Sequence, residues 1–359
     1  MKGIELSRLF YQTVVHPWLD GAFPNLRHDA GIFGYGSELL DFDDDMSRDH
    51  NWGPRVQLVI TADDFAAYAT TIVDGFDAAK PALFLGEPIG YRSRPHPPIV
   101  AHDALGRAEH GVEVFTAQGI LRTRLALEPD TRLDALTWLF LSEQRLLELT
   151  AGEVFHHGLG DLARLRETFG QCPRDVTLYK LAAQWRRIAD EQAFVGRAGF
   201  VGDDLGSRII AARLAHDIMR IGFLLEGRYP PYAKWFGSAF ARLSIAKTLS
   251  PLLSAALAEN TWEGRQAYLA HACLAAARLH APAGFPLSAE PKVSPYFGRP
   301  FLTINAEDIS TDLAAGIVDP LLRGLPVVGS IDQITDATPL ISAPERARRA
   351  MSALLSDRR

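Results

Sequence analysis

Apolar positions near the start of the chain, Leu6, Leu9, Phe10 and Val14, fall at helical spacing, and Pro17 reads as the end of that helix. Tyr11 and His16 lie on its flank. Gly31-Ile32-Phe33 reads as a first strand, and Val56, Leu58 and Ile60 alternate as a second. Thr61 then reads as the N-cap of a helix with Asp63 and Asp64 in its first turn, and its stripe of Phe65, Tyr68, Ile72 and Phe76 is read as core. Between Lys80 and Pro98, prolines at 81, 88, 95, 97 and 98 forbid a regular helix or an interior strand. That loop carries Tyr91, Arg92, Arg94 and His96, which suit an anionic or nucleobase ligand and equally suit a solvated surface excursion. From His110 to Thr116 the pattern alternates again, with Val112, Val114 and Thr116 on one face and Glu113 on the other.

Beyond Leu125 the spacing is helical. Leu133, Leu136, Leu139, Phe140, Leu146, Leu147 and Leu149 form one run that ends near Gly152. Further helices are predicted over 159–169, 175–194, 203–226, 235–258 and 262–280, with no strand-rich interruption. After Ala283 the chain is irregular and proline-rich, with a short strand at Phe301–Ile304 and a terminal helix from Pro344 to Leu355. The fold class expected is α+β: a small mixed-sheet domain over 1–125, an all-helical domain over 126–282, and an irregular C-terminal extension over 283–359.

Composition narrows this picture modestly. A net charge of −6 with 22% charged residues argues against wholesale coating of nucleic acid and gives no strong sign of duplex binding. Two cysteines, Cys172 and Cys273, are too few for a disulfide framework or a cysteine-rich zinc site. The N-terminal residues lack the apolar core of a signal peptide, and no apolar run approaches the ~20 residues that span a bilayer. A cytoplasmic protein without a membrane partner is expected.

The chemistry concentrates in Gly34 to Ile60. Gly34 and Gly36 permit backbone angles closed to other residues and close approach to a ligand. Ser37 offers a hydroxyl and neighbouring N–H groups to a phosphate. An acidic run at Asp43-Asp44-Asp45 follows, then Asp49 and Asn51, whose spacing at the edge of a strand puts them on one face. Farther along, the arginines at 186, 187, 197, 208, 213, 220 and 228 stand out. Arg213, Asp217 and Arg220 share a helix face, which suits either an intrahelical ion-pair ladder or a triphosphate. Tyr229-Pro230-Pro231-Tyr232-Ala233-Lys234-Trp235 is a proline-stiffened turn displaying a lysine between aromatics. Gly329-Ser330-Ile331-Asp332-Gln333 looks like a phosphate loop but lacks the glycine spacing of known ones, so it reads as a plain turn.

The turn at Gly36-Ser37, the pair at 49 and 51 and a carboxylate on a later strand together resemble the DNA polymerase β-like nucleotidyltransferase superfamily. The run GSE…DDxxSxDHxWGPR, with QWRRIA at 184–189, VGRAGFVGDDLGSRIIAARL at 195–214 and YAKW at 232–235, resembles an uncharacterised bacterial nucleotidyltransferase-like family within it. The resemblance implies transfer of a nucleoside monophosphate from a nucleoside triphosphate to an acceptor hydroxyl, on a small molecule, a protein or an RNA, with release of pyrophosphate. It implies Asp49, Asn51 and Glu113 as catalytic, metal-holding residues and Mg²⁺ (or Mn²⁺) as the cofactor. It further implies Gly36, Ser37, Arg55 and Lys234 as nucleotide-binding residues. Asn51 stands where the superfamily has a second carboxylate. Either one metal suffices, or one of residues 43–45 substitutes, or the enzyme is weak. Two other readings stay open: a catalytically degenerate nucleotide-binding sensor, and a toxin–antitoxin component. The last ranks lowest, because the Arg-then-His spacing of the partner ribonuclease is missing from the helix bearing Arg208, Arg213 and Arg220.

Overall fold

The computed structural model describes residues 1–48, 52–89, 99–101, 103–106 and 110–355. The chain divides into two compact units, one of residues 1–132 with 145–170 and the other of residues 133–144 with 171–359.

The first unit opens with α1 (Gly3–Phe10), a π-helical turn at Tyr11–Val15, and α2 (His16–Ala22). Pro17 therefore does not end the helix. The wide turn resets the hydrogen-bond register, and Pro17 falls at the start of the renewed α stretch, where a missing N–H costs little. The sheet consists of β1 (Asp29–Ile32), β2 (Val56–Val59), β5 (Ile99–Ala101), β6 (Ala104–Gly106), β7 (Val112–Phe115) and β8 (Glu153–His157), in the order β5-β6-β7-β2-β1-β8. A separate two-stranded hairpin is formed by β3 (Leu83–Phe84) and β4 (Glu87–Pro88). The large sheet is mixed: β2 and β7 run parallel and its other pairs antiparallel. The parallel crossover contains α3 (Ala62–Ala79), capped by the Thr61 side chain, which accepts the Asp64 N–H. Phe65, Ile72 and Phe76 are buried with Phe10, Val15 and Leu19 over Val56, Leu58, Val112 and Val114. Tyr68, read as core, is 42% exposed, with its ring edge-on to Phe23 at 5.7 Å and outside the buried core cluster.

Helix α4 (Ala117–Leu125) follows β7, then α5 (Ala135–Phe140) and α6 (Glu143–Thr150). The sequence pattern assigned 126–282 to a helical domain without strands, and here the structure differs. Strand β8 pairs antiparallel with β1 and returns residues 145–170 to the first unit. The return is fixed by Asp29, whose buried carboxylate accepts the N–H groups of Leu159, Gly160 and Leu162 at 2.7, 2.9 and 2.9 Å around the start of α7 (Asp161–Phe169). Burial alone would raise the Asp29 pKa, but these N–H groups outweigh it and hold it below the ordinary value.

The second unit is mainly helical: α8 (Arg174–Glu191), α9 (Phe194–Phe200), α10 (Asp204–Leu225), α11 (Ala233–Phe240), α12 (Ala246–Ala258) and α13 (Trp262–Arg278). The segment from 283 onward is not a separate irregular extension. A hairpin of β9 (Val293–Pro295) and β10 (Leu302–Ile304) leads into α14 (Ala306–Ala315), which packs along α8. Short helices α15 (Ile331–Ile334) and α16 (Thr338–Ile341) precede α17 (Pro344–Leu355), whose buried Ala347 and Met351 face α5. Among the described residues no helix is long and apolar enough to cross a membrane.

Candidate functional site

Gly34 and Gly36 form the turn after β1 with φ of +94° and +109°, as the sequence reading required of them. A Cβ on Gly36 would lie 2.2 Å from the Glu38 carboxylate, and one on Gly34 would lie 2.8 Å from Nη2 of Arg124. Ser37 begins a short 3₁₀ turn, half-buried. Beneath it, Arg55 and Glu38 form a buried ion pair at 2.7 Å; the guanidinium also donates to the Tyr35 carbonyl and lies 4.3 Å from the Tyr35 ring. Arg55 is thereby committed to shaping the turn.

Glu113 lies on β7, opposite Gln57 of β2, and is fully buried. The Tyr35 hydroxyl donates to its Oε1 at 3.0 Å and the Gln57 side-chain amide to its Oε2 at 2.8 Å, while Gln57 accepts the Phe33 N–H at 3.0 Å. One buried carboxylate is thus linked through Tyr35 to the glycine turn. Arg124 of α4 completes the arrangement and was not singled out in the sequence. It is 5% exposed, and its Nε and Nη2 have no hydrogen-bond partner among the described residues. Burial lowers its pKa, opposed by the nearby Glu148 and Glu113 charges.

Asp49 and Asn51 lie outside the described residues, as do Tyr91, Arg92, Arg94 and His96. Glu113 is therefore the one proposed metal donor whose surroundings are described. Its two oxygens already accept hydrogen bonds and a guanidinium lies nearby, so by itself it does not compose a Mg²⁺ site, which takes several oxygen donors. Nor do the acidic-run residues gather around it. Asp43 accepts the Gly3 N–H and the Trp52 indole N–H and pairs with Lys2, which fastens the loop to the N-terminus, while Asp44 accepts the Ser47 N–H within the loop itself.

In the second unit Arg186 and Arg208 pair within their own helices, with Asp190 at 3.2 Å and Asp204 at 2.8 Å, but Arg213, Asp217 and Arg220 take their partners from other helices. Arg187 of α8 pairs with Asp217 of α10 at 3.0 Å, Arg213 with Glu191 at 2.6 Å, and Arg220 with Glu143 at 3.0 Å. Glu143 also pairs with buried Lys180 at 3.2 Å, and its N–H donates to Asp332 at 2.9 Å. Burial alone would raise the Glu143 pKa, but Lys180 and Arg220 outweigh it and lower it. Burial and the Glu143 charge push Asp332 up to about 6. A cavity of about 540 Å³ is lined by Arg187, Arg213, His216, Arg220, Asp332 and Asp336 among others, a volume suited to a small ligand. Lys234 is exposed at the start of α11, its ammonium 4.8 Å from the Trp235 ring. Ser330 and Gln333 form a capping box on α15, which accounts for the loop at 329–333 as a turn.

The Asp332 shift has a pH consequence. A carboxyl whose folded pKa lies above its unfolded value near 3.8 stabilises the fold fully below that value, and this contribution is lost as pH rises through about 6. Asp332→Asn is expected to flatten the fall in Tm between pH 4 and pH 6. An unchanged profile would show that Asp332 does not titrate in that window.

Residues 138–236, from within α5 to within α11, match a family described as a domain of unknown function, DUF4037. The match spans less than half of the chain and includes Glu143, Lys180, Arg187, Arg213, Arg220 and Lys234. Among solved structures, the chain is similar to a nucleotidyltransferase-like protein from Exiguobacterium sibiricum 255-15, with 13% identity, 77% of this chain and 76% of that chain covered, and a TM-score of 0.32. A likeness at that level carries no argument about mechanism. No curated protein matches the chain.

Proposed function

We propose that this protein is a nucleotidyltransferase that moves a nucleoside monophosphate from a nucleoside triphosphate to an acceptor hydroxyl. The observation that carries the reading is the buried Glu113 carboxylate at the centre of the sheet, hydrogen-bonded through Tyr35 to the glycine turn preceding Ser37. In the reaction the acceptor oxygen bonds to the α-phosphorus, the bond to the bridging oxygen breaks, and its electron pair leaves with pyrophosphate while the acceptor gives up its proton. The Gly36-Ser37 turn would hold phosphate oxygens. Arg124, whose Nε and Nη2 have no partner among the described residues and whose Nη2 lies beside Gly34, would add charge-assisted donors to them. Glu113 would orient the turn through Tyr35. A Mg²⁺ ion, with Asp49, Asn51 and Glu113 as its proposed protein ligands, would supply charge neutralisation when bound.

A second reading, nucleotide binding without turnover, is favoured by the amide at Asn51 and by the full engagement of both Glu113 oxygens. One experiment separates the two. Each of the four nucleoside triphosphates, with and without Mg²⁺, is tested for thermal shift and pyrophosphate release. Both signals are expected under the proposal; a shift without release selects the second reading, and no shift at millimolar nucleotide overturns both.

A further inference from the structure

Three histidines far apart in sequence converge in the first unit. His16 opens α2, His28 immediately precedes β1, and His156 lies on β8 opposite Ala30. One ring nitrogen from each lies within 4.8 Å of the other two, the one such grouping of metal-ligating side chains among the described residues. The His28 and His156 rings stack at 4.7 Å, and His16 is 5.3 Å from His156 and 5.9 Å from His28. We infer that His16, His28 and His156 form a binding site for a divalent transition metal of the Zn²⁺ class. The inference does not rest on the nucleotidyltransferase reading, and the site shares no residue with it.

The surroundings support ligation beyond mere proximity. His28 Nδ1 faces the Leu26 carbonyl at 3.2 Å, which fixes the proton there and leaves Nε2 its lone pair, which accepts the Tyr11 hydroxyl at 2.8 Å and is the nitrogen free to ligate in its place. Asp20 lies 3.6 Å from His16 Nε2, a carboxylate placed to orient that imidazole. Gly158 lets the backbone close over the cluster, since a Cβ there would lie 3.1 Å from His156 Nε2 and 2.3 Å from the His28 carbonyl. Tetrahedral Zn²⁺ with bonds of about 2.0–2.1 Å sets its ligand nitrogens about 3.3 Å apart, so small rotations of half-buried His16 and His156 suffice. Imidazoles without thiolates or paired carboxylates select Zn²⁺, Co²⁺, Ni²⁺ or Cu²⁺ over Mg²⁺ or Ca²⁺. Three protein ligands leave a fourth position for water or for another donor. The ion would fasten α2, the start of β1 and β8, three segments that otherwise meet only through noncovalent packing.

The test uses the full chain without a histidine tag, stripped of metal and titrated with Co²⁺ and then Zn²⁺. One equivalent of Co²⁺ should bind with the visible absorption of a low-coordinate nitrogen-ligated ion, Zn²⁺ should displace it, and Tm should rise. His156→Gln and His16→Gln should each weaken Co²⁺ binding by at least roughly tenfold, while Glu113→Gln leaves it unchanged. Metal-free melting curves establish that each variant folds, and if His156→Gln does not, the more exposed His16→Gln decides the matter. Equal Co²⁺ affinity in the histidine variants, loss in Glu113→Gln instead, or no binding at millimolar metal would overturn the inference.

Discussion

Glu143→Ala is expected to destabilise the protein by roughly 3–5 kcal/mol, the scale for leaving a buried charge without its partner. Glu143 is the shared counterion of Lys180 and Arg220, at 3.2 and 3.0 Å, and all three side chains are at most 10% exposed. Removing it leaves two buried cations facing Asp332 alone. For a unit of this size the loss corresponds to a Tm decrease of roughly 6–20 °C. A second variant isolates the cause. Glu143→Met with Lys180→Met removes one charge of each sign and leaves Arg220 and Asp332 to balance one another, so it should recover at least roughly half of the loss, as apolar replacements of buried ion pairs do. A loss below about 1 kcal/mol for Glu143→Ala, the range of exposed pairs, would mean that water reaches the cluster and the charges are not truly buried.

Arg124→Met is expected to move stability and ligand binding in opposite directions. The guanidinium is buried with Nε and Nη2 unsatisfied among the described residues, each such nitrogen costing about 1–3 kcal/mol, and methionine fills similar space without polar atoms. The variant should therefore melt at the same temperature or higher. If Arg124 serves the phosphates held at the glycine turn, nucleoside triphosphate affinity should drop by roughly 1.5–3 kcal/mol, about 10- to 150-fold in Kd. Such opposition marks a residue kept for function at the expense of the fold. A lower Tm with unchanged affinity would make Arg124 a structural partner of Glu113 and Glu148, whose charges lie near it. Calorimetric titration of the nucleotide beside a melting curve measures both quantities.

The elements legible in the sequence were those with a local signal. Thr61 with Asp63 and Asp64 announced α3, alternation announced β2 and β7, and Gly34 and Gly36 announced a turn that needs positive φ. Strand β8 was missed because Glu153–His157 is short, partly exposed and directly follows a helical run, so no alternation of burial marks it. Its signal was the pair of glycines at 152 and 158 bracketing Val154 and Phe155. With β8 went the domain boundary, since its pairing with β1 and the Asp29 hydrogen bonds bring residues 145–170 back. The arginines were visible, but not their partners: Glu143, Glu191 and Asp217 are chosen by tertiary packing, which periodicity within one helix cannot report. The three histidines have no motif spacing. Their convergence depends on the β1–β8 register and on the π-helical turn that aims α2, and neither is written locally.

The detour of the chain through residues 133–144 has a consequence for synthesis on the ribosome. When translation reaches residue 132, β1 has β2 as a neighbour and an open edge on its other side, because the strand that covers it has not been made. The Asp29 carboxylate likewise awaits the N–H groups of Leu159, Gly160 and Leu162. An open edge can recruit a strand from another chain. The nascent polypeptide must therefore hold an unfinished sheet while about thirty further residues emerge, and this unit is complete only once residues 145–170 have been made. The interval exposes the polypeptide to association between nascent chains on one polysome, and a pause in elongation between residues 132 and 162 would prolong it.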